Sequence, residues 1–153
     1  VDGTQNASMW CPVDPVARSA TLEFIAGSHR GPWYMPRTFL DDEAKWFPDG
    51  ALAELPDFDN EPDRWKILGW ELEPGDAVFF NMLTVHGSGG VSGANRRRVL
   101  SVRYLGDDMV HAPRHWTTSP PFDGLDAEIP EGVPMDHPLF PMLWTRSDGL
   151  VAA

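Results

Sequence analysis

Disulfides, membrane helices and a cationic surface are all missing from this chain of 153 residues. It carries a single cysteine, Cys11, so no intrachain disulfide can staple it, a composition compatible with a reducing cytosol. No apolar run comes near the roughly 18 residues that a membrane helix needs, and no signal-peptide pattern opens the sequence. A cytoplasmic protein without membrane contact is expected. Basic residues are scarce as well: 12 Lys and Arg stand against 23 Asp and Glu, a net charge of −11. Such a surface repels phosphate backbones and anionic membranes, which argues against nucleic acid as a partner. The first residue is Val1, which enters strand-like sequence at once, so the chain is expected to be a fragment that lacks its front end.

What is present points to short strands. The length suits one domain with a real core. Fifteen prolines and 14 glycines punctuate any helix and favour strands joined by turns. Strand-like patterns run over residues 5–13, 21–25, 65–70 and 77–81, and residues 97–105 alternate most clearly between two faces. Residues 1–29 are read as barrel strands ending in a Gly-Ser-His turn. Residues 30–64 form an irregular insertion, with one or two helical turns at 43–47. Residues 65–105 return to barrel strands, through a tight turn at Pro74-Gly75-Asp76, and residues 106–153 are a proline-rich tail wrapping the surface. A single mainly-β domain follows, a sandwich or barrel with long loops and few helices.

The stretch from Pro74 to Leu105 carries the chemistry. One strand ends at Thr84-Val85-His86, a loop of small residues occupies 87–95, and the next strand opens with Arg97. Read as an antiparallel hairpin of neighbouring strands, 76–86 and 97–105, it would let His86 and Arg97 face one interior. A neutral imidazole suits ferrous iron, and a guanidinium clamps a carboxylate through two parallel bonds. Spacing alone is weak evidence. A lone histidine before a Gly-Ser loop is more often structural than a ligand, and three adjacent arginines are usually a solvated face.

The segments LEFIAGSHRG and PGDAVFFNMLTVHGSGGVSGANRRRVLSVRYLGDD resemble the phytanoyl-CoA dioxygenase family. The opening VDGTQNASMWCPVDPV and the tail WTTSPPFDGL are similar to it too, so the resemblance covers residues 1 to 122. It implies a double-stranded β-helix, a jelly-roll, cupin-like barrel. It also implies an Fe(II)- and 2-oxoglutarate-dependent dioxygenase that hydroxylates a small organic substrate with O2 and releases succinate and CO2, with ascorbate as a stimulant. On that resemblance His86 is the distal iron ligand, and Arg97, eleven positions on, pairs with the 2-oxoglutarate carboxylate. Ser88 and Trp10 match positions that contact the co-substrate, although Trp10 reads equally well as a core aromatic. Ser101 shares the inner face of the strand with Arg97, Val99 and Arg103, whereas Arg96 and Arg98 point outward into solvent or surface ion pairs. The loop aromatics Trp33, Tyr34, Trp46 and Trp116 either line a substrate mouth or pin their loops to the barrel.

One departure is large. The family's proximal ligands form a His-x-Asp triplet, and none occurs here: Gly31, Ser88, Pro113, Thr117 and Leu139 stand two places after the five histidines. The triplet is expected a few residues before Val1. Two alternatives stay open, a non-haem iron halogenase of the same fold and a non-catalytic barrel that binds a ligand or partner without iron. The substrate and the oligomeric state are not legible.

Overall fold

The computed structural model describes residues 1–36, 47–48, 50–58, 60–61, 63–90, 96–115 and 121–145. Six strands occur among them: β1 (Asn6–Pro12), β2 (Glu23–Ile25), β3 (Ile67–Leu68), β4 (Val78–Phe80), β5 (His86–Gly87) and β6 (Val99–Leu105). Helix is confined to two 3-10 turns, Arg18–Ala20 and Ser28–Arg30, and one short α-helix, α1 (Leu125–Glu128). The mainly-β expectation is met. No described helix is long and apolar enough to cross a membrane. The helical turn expected at 43–47, apart from Phe47, and the aromatics Trp46 and Trp116 lie outside the described residues.

The strands form two antiparallel sheets of three, ordered β4-β1-β6 and β3-β2-β5. The chain crosses between the sheets at every connection except β2 to β3, which pair with each other in the second sheet. The expected hairpin of neighbouring strands is therefore corrected. Residues 78–80 and 99–105 do share a sheet, but β1 lies between them, and His86 belongs to the other sheet. The physical reason is register. β1 offers a full ladder, Asn6 opposite Leu105 through Pro12 opposite Val99, that no local hairpin could match.

Parity along this ladder decides what faces inward. Trp10 lies opposite Val78 and Ser101, and Ser8 opposite Phe80 and Arg103. Ser8, Trp10 and Pro12 are buried, and Trp10 forms the core with Val16 and Leu72, against which Leu22, Val78 and Phe80 pack. The other parity carries Met9, Phe79, Leu100 and Val102 on the outer face, where Phe79 and Leu100 are exposed. Phe24 of the second sheet closes the gap between sheets, its ring 4.8 Å from that of Phe80.

The Glu73-Pro74-Gly75-Asp76 turn forms as its residues dictate. Proline presets the second position, Gly75 takes a φ of 106° at the third, and the Asp76 amide donates to the Glu73 carbonyl at 3.0 Å. Residues after β6 fold back onto the body: Val110 bridges to Asp2 and to Pro134, and Met109, Ala112, Leu125 and Ile129 are buried.

Two carboxylates clamp the ends of the β1–β6 ladder. Beyond β1, Asp14 accepts from the Arg98 amide, Nε and Nη2 at 2.9, 3.0 and 2.7 Å, with Arg96 nearby at 3.7 Å. Beyond β6, Asp108 accepts from the Thr4 amide and hydroxyl and the Gln5 amide. Both carboxyls are held below the usual range, chiefly by side-chain hydrogen bonds from Arg98 and from Thr4, and Asp14 falls to about 2. A depressed carboxylate stabilises the fold above its ordinary value of 3.8 and loses that contribution as pH falls through about 2. Asp14→Asn should thus unfold at lower temperature than the parent at neutral pH, with the gap closing near pH 2. Thermal melts across that range test this, and an undiminished gap at the acid end would refute the clamp.

Candidate functional site

His86 owes its position to three local features. It lies opposite Phe24 in the β2–β5 pairing, so both side chains leave the same face of the sheet, Phe24 buried and His86 exposed. Its ring sits 6.0 Å from that of Phe24 and 4.9 Å from that of Phe80. Its Nδ1 lies 2.7 Å from the Thr84 carbonyl, which can only accept, so Nδ1 carries the proton. In the tautomer that this contact selects, the lone pair is on Nε2, the arrangement in which a backbone carbonyl orients a metal-binding imidazole. Among the described residues no three His, Cys, Asp or Glu side chains converge as a metal site. His86 fits as one ligand of such a site, and the described residues do not complete the set.

Ser28 is a contributor that the sequence reading missed. Its hydroxyl donates to the Ile25 carbonyl and accepts from the Val85 amide, both at 2.8 Å. The serine of the Gly-Ser-His turn thereby fastens the end of β2 to the residue before His86. The Gly-Ser-His pattern was the available signal, but a hydroxyl that reaches 57 positions along the chain leaves no local periodicity. His29 sits in the 3-10 turn, outside the walls of both cavities at His86.

Two cavities meet at His86 and Gly87. The smaller, about 280 Å³, lies between the sheets and is walled by Ser8, Trp10, Leu22, Phe80, Met82, Ser101 and Arg103 as well. The larger, about 710 Å³, runs along Glu23, Ile25 and Ile67 on the other face of the second sheet, under residues 55–58 of the insertion. The smaller one holds the polar groups of the inner faces and is the better candidate for chemistry.

The structure brings His86, Trp10 and Ser101 together in that chamber. Trp10 is core and chamber wall at once. Arg97 stands just behind: one of its Nη atoms donates to the Ser88 hydroxyl at 2.8 Å and to the Ala20 carbonyl. Ser88, in turn, lies in the larger cavity's wall and accepts from the Gly90 amide at 3.2 Å. Arg96 and Arg98 both address Asp14, on the outside. Arg103 lines the chamber, a position the sequence reading placed on the inner face but gave no task. Of the loop aromatics, Trp33 lies under the Arg114 guanidinium at 5.1 Å, and Tyr34 meets Phe58 edge-on at 6.5 Å, contacts that pin the insertion.

Residues 3–99 match the family model described as phytanoyl-CoA dioxygenase, a span that takes in Trp10, His86, Ser88 and Arg97 and stops short of Ser101 and Arg103. The chain is also 29% identical over 105 residues to a Caenorhabditis elegans protein described as a probable phytanoyl-CoA dioxygenase. That match covers 65% of this chain and 30% of the relative, so the chain spans less than a third of its relative's length. No solved structure matches.

Removing the Ser28 hydroxyl would leave the part-buried Val85 amide without its acceptor. Ser28→Ala should cost about 1–2 kcal/mol in chemical denaturation and shift the His86 ring resonances, while Ser28→Thr keeps the hydroxyl. Unchanged stability and unchanged ring resonances in the alanine variant would rule out the fastening role.

Proposed function

The chain belongs to the phytanoyl-CoA dioxygenase family, and on that premise we propose that it holds the co-substrate end of an Fe(II)- and 2-oxoglutarate-dependent oxygenase. The reaction converts a C–H bond of a small organic substrate to C–OH. It uses one O2 and one 2-oxoglutarate and releases succinate and CO2. The iron, when bound, supplies the activation of O2 that no side chain can provide. The observation that carries the reading is the His86 ring, with Nδ1 tied to the Thr84 carbonyl and Nε2 left free at the chamber wall.

The residues have distinct tasks in this reading. His86 offers Nε2 as one metal ligand, and Thr84 fixes its tautomer and aim. Arg97 binds the far carboxylate of 2-oxoglutarate, exchanging its bond to the Ala20 carbonyl for a paired one, with the Ser88 hydroxyl holding the guanidinium in place. Trp10 and Phe80 give the chamber its apolar wall. Ser101, opposite Trp10, supplies a hydroxyl to the same space. A cytoplasmic location and O2 as co-reactant belong to the same reading.

A second reading, a barrel that binds its ligand without iron, draws on the absence of a converging ligand set among the described residues. Fe(II) titration separates the two tests. The 153-residue chain by itself should bind Fe(II) weakly through the one imidazole. Tight stoichiometric binding would mean that a ligand set exists within the chain and that His86 was assigned on the wrong ground.

For the co-substrate, Arg97→Ala should raise the apparent Michaelis constant for 2-oxoglutarate roughly 30-fold or more in the complete protein, as expected when about 2–5 kcal/mol of a desolvated ion pair is lost. Arg97→Lys should rescue only in part, because the ammonium lacks the planar fork. Arg96→Ala and Arg98→Ala should leave that constant unchanged, since both arginines face Asp14. Succinate release measures all four variants, and equal effects at the three arginine positions would replace the specific anchor with a diffuse basic patch.

A further inference from the structure

The chamber beside His86 holds three polar side chains without a task. Ser8, Ser101 and Arg103 all line it, and among the described residues none makes a side-chain hydrogen bond or ion pair. In a chain with 23 acidic residues and 12 basic ones, most described guanidiniums have an acidic partner, as Arg18, Arg64, Arg96, Arg98 and Arg114 do. Arg97 is tied to Ser88 and Ala20, Arg30 lies unpaired on an exposed turn away from the chamber, and Arg103 is the unpaired one in the chamber wall among the described residues. Arg103 is itself exposed, at the rim of the chamber and opposite Ser8, which is 6% exposed, and Ser101, also exposed, stands two residues before it on the same face.

We propose that Arg103, with the Ser8 and Ser101 hydroxyls, is the anchor for a carboxylate of the substrate, and that the substrate is therefore a small carboxylic acid with an apolar body. This rests on the oxygenase reading for the word substrate, but the anion site stands on its own geometry. Three donors converge where no protein acceptor meets them, and a planar guanidinium fork matches a carboxylate. The rest of the wall is apolar, with Trp10, Leu22, Phe80 and Met82. One free guanidinium offsets one negative charge. A coenzyme A ester, with its several phosphates, would bring far more anionic charge to a chain already at −11.

Arg103 and Arg97 do not compete for one group. They lie six residues apart on extended chain, roughly 20 Å at 3.3 Å per residue, so they serve opposite ends of the interior. Arg97 has hydrogen-bond partners waiting at its end, and Arg103 has only open chamber. The two arginines therefore divide the anions: co-substrate at Arg97, substrate at Arg103.

The test is isothermal titration calorimetry on the intact protein with hexanoate and with hexanamide, its neutral isostere. Hexanoate should bind and hexanamide should bind at least tenfold more weakly, the loss of one charge-assisted contact. Arg103→Met should abolish that preference while leaving 2-oxoglutarate binding intact, and Arg103→Lys should restore part of it. Arg97→Met should do the reverse, weakening 2-oxoglutarate and sparing hexanoate. Retention of the melting temperature in Arg103→Met separates loss of the anchor from loss of the fold. The lysine variant carries the test if the methionine variant unfolds. Equal binding of acid and amide, no saturable binding of hexanoate, or an unchanged preference in Arg103→Met would overturn the proposal. If Arg103→Met instead weakens 2-oxoglutarate, Arg103 is a co-substrate residue and the proposal is likewise overturned. Failure of Arg97→Met to weaken 2-oxoglutarate would count against the oxygenase reading alone.

Discussion

Everything in the interior depends on the register between β1 and β6. Each strand residue points to the side opposite its neighbours, so a slip of one position exchanges whole faces. In the observed register Ser8 and Trp10 meet Arg103 and Ser101 inside the roll, and Met9 meets Val102 outside it. Shifted by one on β6, Leu100 and Val102 would turn inward and Ser101 and Arg103 outward, and the chamber would lose its polar wall. The two carboxylate clamps guard against that slip. Asp14 takes the Arg98 amide and guanidinium together, and Asp108 takes the Thr4 and Gln5 amides at the far end. With both ends pinned, Arg97 has no choice of side.

A second constraint joins the sheets. Phe24 packs on Phe80 and stands opposite His86, so one aromatic ring sets the distance between sheets and the depth of the imidazole. Ser28 adds a fixed link from β2 to the Val85 amide. The second sheet needs such help because β3 and β5 are two residues long, too short for ladder bonds alone to hold them. Side-chain contacts do there what backbone pairing does in the first sheet.

These long-range contacts mark the limit of what could be read from the chain alone. The strands at 5–13 and 97–105 were legible because their alternation is local, and so was the Pro74-Gly75-Asp76 turn, whose residues fix their own φ. The inner facing of Arg97 and the outer facing of Arg96 and Arg98 followed from parity alone. Sheet membership did not. β1 inserts between β4 and β6 from about 70 and 90 positions away, and a periodicity of two says nothing about which strand lies alongside. The hairpin expectation failed for that reason, and the link observed between Arg97 and the His86 strand is the hydrogen bond to Ser88. Ser28, Asp14 and Asp108 were invisible on the same ground: each acts on a partner more than 50 positions away.

Four arginines between positions 96 and 103 show how one residue type acquires different tasks from geometry. Arg96 and Arg98 share a carboxylate on the outside and hold the ladder. Arg97, between them, turns inward and meets a hydroxyl and a carbonyl, groups that steady a guanidinium without neutralising it. Arg103, exposed at the chamber rim at the other end, meets no acceptor among the described residues. Like Arg30 and Lys66, Arg103 is exposed and has no acidic partner among the described residues, and what sets it apart is its place in the chamber wall. The surplus acid outside repels anions over long range, but water and salt screen that repulsion within about 10 Å. Within that distance, at the chamber wall, the nearest charge dominates. On the proposed anchor, a small anion at the chamber would be governed by Arg103 rather than by the net charge, which is how an acidic protein can accommodate an acidic ligand.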